Sequence, residues 1–120
     1  MATVPPMTII KRGTPQPSPV QSQSHVTIEV PLDPEPHPVW MLLFNYHVAA
    51  QAPFGDRPLA MNGRIYFTMP VAEGEEGLRR RMGIIDATLD ALNQAVESAR
   101  AASNAEDNAR RELLAKASEL

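Results

Sequence analysis

Three consecutive arginines, Arg79-Arg80-Arg81, form the densest cationic cluster in the chain. Close to a helix start, such a triplet could grip phosphate or an acidic partner, because guanidinium groups and the positive end of the helix dipole both favour anions. Glu75 and Glu76 lie four residues before Arg79 and Arg80, the spacing and direction of helical ion pairs. The expectation is therefore a self-neutralised solvated face, with anion or acidic-partner binding through Arg79, Arg80 and Arg81 as the sharper alternative.

Other residues capable of chemistry do not converge. Asp86 and Asp90 are one helical turn apart. A carboxylate dyad needs burial to separate its two pKa values, and with Arg79 and Arg100 on the same helix a polar face is the expected role. The three histidines, His25, His37 and His47, show neither His-x-His nor His-x-x-x-His spacing. A metal site needs three or four convergent ligands, so structural or solvent-facing roles are expected, with His37 as a pH-sensitive loop charge and His47 as a base beside Tyr46 the alternatives. Tyr66 and Phe67 fall on opposite faces of their strand, which argues against a base-stacking platform. No Gly-x-Ser-x-Gly elbow, Gly-x-Gly-x-x-Gly loop or Walker A loop occurs. The chain has no cysteine, which removes disulfides, thiol chemistry and Cys-ligated zinc. No catalytic, metal-binding or cofactor-binding residue is expected.

Composition narrows the partners. The net charge is −3 over 120 residues, whereas a dedicated nucleic-acid binder shows a basic domain or stripe. The most apolar run, Val39–Phe44, is too short to span a bilayer, and Met1–Pro19 has no apolar run of signal-peptide length. A soluble protein, cytoplasmic by default, is expected.

The elements that would position any site are legible from periodicity. Leu78, Met82, Ile85, Leu89, Leu92, Val96 and Ala99 recur at alternating steps of four and three, the spacing of one helix face. A stripe of smaller residues, Ile84, Ala87, Ala91, Ala95 and Ala102, runs beside it and would allow another helix to approach closely. No proline follows Pro70, so a long helix from about Glu75 is predicted. Ser103-Asn104-Ala105-Glu106 matches a capping box. The helix therefore either breaks there and restarts as Ala105–Ser118 or continues, with Ser103 and Glu106 weakening the seam.

Upstream, Val26-Thr27-Ile28-Glu29-Val30 alternates as a strand ended or edged by Pro31. The ten residues Val39–Val48 read as a central strand, apolar on both faces over its first half. That reading requires a second cover for the sheet, either another copy of the chain or the N-terminal segment. Asn62-Gly63 between Leu59-Ala60-Met61 and Arg64–Met69 signals a type I′ hairpin, with Ile65, Phe67 and Met69 on one face. Residues 1–24 read as a Pro/Gln/Ser-rich flexible arm, within which Thr8–Lys11 could add to a sheet edge; residues 25–120 read as one domain.

The predicted fold is α+β, a small antiparallel meander of three or four strands followed by a long C-terminal helix. This pattern hosts many functions. The expected function is a non-enzymatic interaction module, an adaptor, assembly factor or inhibitor of a larger machine. It would self-associate, with a dimer favoured, through Leu78, Met82, Ile85, Leu89, Ala91, Leu92, Ala95 and Val96. The alternatives are a nucleic-acid-associated protein using the arginine triplet, and a small enzyme or ligand carrier with a pocket between sheet and helix.

Overall fold

Strand alternation and one tight turn define the sheet. The computed structural model describes residues 8–19 and 21–120; the remainder of the predicted N-terminal arm lies outside the described residues. Val26, Ile28 and Val30 belong to a strand that runs His25–Asp33 (β3) and pairs antiparallel with Arg64–Pro70 (β5). The register sets Val26 opposite Met69, Ile28 opposite Phe67 and Val30 opposite Ile65, so the apolar sets of both strands share one face. Leu59–Met61 (β4) returns along β5 through Asn62-Gly63. Both turn residues have positive φ, 54° and 77°, the conformation that a type I′ turn demands. The opposite sheet face is mixed: Thr27 and Thr68 hydroxyls meet at 2.9 Å and Arg64 pairs with Glu29 at 2.8 Å, while Leu59 and Met61 of β4 lie exposed beside Tyr66 and Arg64.

Lys11–Arg12 (β1) and Gln16–Pro17 (β2) pair along the outer edge of β3. The stretch from Gly13, read from composition as a flexible arm, is thus laid against β3: Gly13 N donates to Pro31 O, and Ser18 N to Thr27 O. The Gln21 side chain brackets Thr27, donating to its carbonyl and accepting from its amide. Pro31 does not end β3, which continues to Asp33. The sheet order is β1-β3-β5-β4, with β2 also against β3.

The run predicted as a central strand is a helix, Pro38–Gln51 (α1). Pro38 occupies the first turn, where its missing N–H costs nothing, and His37 Nδ1 accepts from the amide of Val39 to cap it. Phe44 and Val48 are buried, Trp40 packs against the core one turn earlier, and Ala52 is buried one turn later. This four-residue period coexists in the sequence with two-residue alternation, because the run is apolar almost throughout; the length and the proline resolve it. The sheet therefore needs no second cover from another copy, because α1 itself covers it.

Val71–Glu73 forms a single 3-10 turn, after which Gly74–Ala117 (α2) runs without interruption through Ser103. The connection from β3 through α1 to β4 therefore leaves β5 between two parallel strands, a split βαβ arrangement. Both helices cover the apolar sheet face. The core contains Ile10, Val30, Phe44, Ile65, Phe67, Met69, Ile85 and Leu89. At 1.5 Å per residue α2 is about 66 Å long, most of the 76 Å long axis of a molecule that is 25 × 23 Å across. Its C-terminal half consequently extends beyond the sheet.

Candidate functional site

The arginine triplet resolves into three different environments. Arg81 is 1% exposed. Its Nη1 donates to Glu73 Oε1 at 2.8 Å and to the Gly77 carbonyl at 3.1 Å, and its Nη2 to Asp56 Oδ1 at 3.1 Å and Gly55 O at 3.3 Å. This guanidinium therefore ties the 3-10 turn Phe54–Asp56 and the turn Val71–Glu73 to α2. Position 77 must be small: a Cβ there would meet the Glu73 Cβ at 2.6 Å and its Oε1 at 2.8 Å. The glycine lets the Glu73 carboxylate fold back over the first turn to reach Arg81.

Arg80 is half exposed; it donates to Glu73 and lies 3.4 Å from Asp56. Arg79 is exposed and pairs with Glu75 at 2.7 Å, the helical pairing that the spacing predicts. Hydrogen bonding from Arg81, with a smaller contribution from Arg80, holds the Glu73 carboxyl below its ordinary pKa, and Glu73 in turn raises Arg80. Three cations thus meet Glu73, Asp56 and Glu75 within the chain. The sequence signal for this node was incomplete, because the acid that pairs with Arg81 most extensively lies eight residues away in a turn that helical periodicity does not describe.

Asp86 accepts both forks of Arg12, which carries the strand segment onto α2; Asp86 raises the Arg12 pKa through this bond. An open groove of about 420 Å³ lies between that segment and α2, bordered by Lys11, Arg12, Asp86 and Asp90. The histidines are separate: His25 bonds Ser24, His37 caps α1, and His47 bonds Gln51. No cluster of three potential metal ligands exists among the described residues, and no helix among them is long and apolar enough to cross a membrane.

The apolar stripe of α2 divides along its length. Ile85 and Leu89 are buried in the chain's own core, with Leu78, Met82 and Leu92 packed against it. Ala91 and Val96 are half-buried and Ala95 is exposed. From residue 100 onward every position is exposed, including Leu113 at 70% and Leu114 at 65%. The structure therefore gives the two parts of the stripe different surroundings: the sheet for its start, solvent for its continuation.

A second apolar surface escaped the sequence reading. Val39, Leu42, Leu43 and Tyr46 all lie exposed along the outer side of α1, a helix that contains no charged residue. Their i, i+3, i+4, i+7 spacing is that of one helix face, but the same apolar run also fits two-residue strand alternation, which masks it. No family model, no curated protein and no solved structure matches this chain.

Proposed function

We propose that this protein is a non-enzymatic interaction module that self-associates through α2. The observation that carries the reading is the projecting end of that helix. Its last 21 residues, 97–117, extend roughly 30 Å and, apart from half-buried Ala99, are exposed throughout. A helix of that length gains little from propensity alone, and an apolar side is ordinarily stabilised by tertiary or quaternary packing. Leu113 and Leu114 leave such a side in water. Internal matching of the arginine triplet by carboxylates further favours a protein partner over phosphate.

Sedimentation of the full chain across the micromolar range tests this reading. The expected result is a concentration-dependent rise from the 13.2 kDa protomer toward twice that mass. A protomer mass that persists at high micromolar concentration overturns it.

A further inference from the structure

We infer that the projecting part of α2 pairs antiparallel with a second copy of itself about a two-fold axis near residue 108, setting Glu106 of each helix against Arg110 of the other. The inference rests on the self-association proposed above and supplies its orientation and register.

The apolar seam of α2 continues past the sheet through Val96 and Ala99, and resumes at Leu113 and Ala117. Between these groups the same four-and-three spacing places Ser103, Glu106 and Arg110. A helix break at Ser103 would have excused these polar positions, but α2 runs through unbroken. They therefore lie on the line along which an apolar partner helix would pack. Neither charge is committed to the body of the protein. Glu106 has no ion-pair partner among the described residues, and Arg110 lies only within 3.6 Å of Asp107 on its own exposed helix face.

The charge order selects the geometry. A parallel pair would set Glu106 on Glu106 and Arg110 on Arg110, like charges in the seam. An antiparallel pair whose facing positions add to about 216 sets Glu106 against Arg110 twice, across the axis. The same register opposes Ala99 to Ala117 and Ser103 to Leu113, so each remaining layer contains at least one apolar or small residue. It also uses residues 99–117, beyond the part of α2 that packs on the core, so both bodies lie outside the overlap. Opposed charges on a seam fix register and orientation more than they add affinity.

The test uses charge reversal and cysteine crosslinking in the full chain, which has no native cysteine. Glu106→Arg and Arg110→Glu, each alone, should weaken the dimer by roughly tenfold or more, and the double variant should recover most of the loss. Circular dichroism verifies that the exposed substitutions leave the helix formed. For crosslinking, a mixture of Ser103→Cys and Leu113→Cys chains should oxidise to the mixed disulfide, and neither variant alone should crosslink. Like positions at 103 would stand about 15 Å apart along the axis, beyond the roughly 7 Å Cα limit of a disulfide. A dimer that crosslinks 103 to 103, or in which the double reversal fails to rescue, overturns the antiparallel register while leaving self-association standing. A wild-type chain that stays a monomer overturns both.

Discussion

Asn93 treats Ile10 as a neighbouring strand would. The Ile10 amide donates to Asn93 Oδ1 at 3.0 Å, and Asn93 Nδ2 donates to the Ile10 carbonyl at 2.9 Å. Asn45 does the same for Ala60 on the opposite side of the sheet, at 2.7 and 3.0 Å. A carboxamide carries one acceptor and a donor group side by side, so two helix side chains satisfy backbone groups at both outer segments of the sheet. Outer strands otherwise offer unpaired amides and carbonyls to other chains.

Replacing Asn93 by Ala therefore removes two bonds that hold the N-terminal segment onto α2. The expected cost is about 1–3 kcal/mol for leaving the Ile10 groups without a partner. Amide exchange at Ile10 and in β1 should accelerate well before exchange in β5 does. Unchanged protection at Ile10 would show that β1 and the Arg12–Asp86 pair hold the segment without the asparagine.

Much of this arrangement was legible in the chain. The hairpin at Asn62-Gly63, the inward faces of β3 and β5 and the long final helix follow from turn chemistry and periodicity, which act over a few residues. The failures share a cause at longer range. Val39–Val48 satisfies both helical and strand periods, and only the fit of Phe44, Val48 and Ala52 beneath the fold selects the helix. The Gln16–Pro17 pairing is set by the open edge of β3 rather than by its own composition. The Arg81 node depends on two turns meeting one helix, and no local spacing encodes that meeting.

That node predicts unequal consequences within the triplet. Arg81→Met keeps much of the buried side-chain volume but leaves Gly55 and Gly77 carbonyls and two carboxylates without their shared donor. A loss of about 1–3 kcal/mol in denaturant unfolding is expected, moderated because Glu73 and Asp56 retain some contact with water. Arg79→Gln removes only an exposed helical pair and should change stability by at most about 0.5 kcal/mol. Equal losses at the two positions would show that burial does not distinguish them.

Acidification should act through the same carboxylate. The folded-state pKa of Glu73 is lowered from its ordinary 4.5, chiefly by the hydrogen bond from Arg81. A lowered acid pKa contributes stability at neutral pH, and that contribution is lost as pH falls below the unfolded value and through the folded one. The unfolding midpoint of the wild-type chain should therefore fall below about pH 4.5 more steeply than that of Glu73→Gln, which has no such group to protonate. Parallel pH profiles for the two proteins would remove Glu73 from the account of acid stability.

Leu89 and Leu113 separate the two roles of one helix stripe. Leu89 is 5% exposed and sits in the core, whereas Leu113 is 70% exposed on the projecting end. Leu89→Ala should cost about 2–5 kcal/mol, because the cavity lies under the sheet and cannot fill with water at no cost. Leu113→Ala should leave the thermal unfolding of the protomer nearly unchanged at low concentration and lower the dimer fraction at high concentration. Its side chain is largely in water on the projecting end, so the loss should fall on the dimer and not on the protomer. Chemical denaturation at a concentration where the chain is monomeric, paired with sedimentation at a higher one, reads the two effects separately. If Leu113→Ala destabilises the monomer as much as Leu89→Ala does, the projecting end packs on its own chain and α2 is not a free arm.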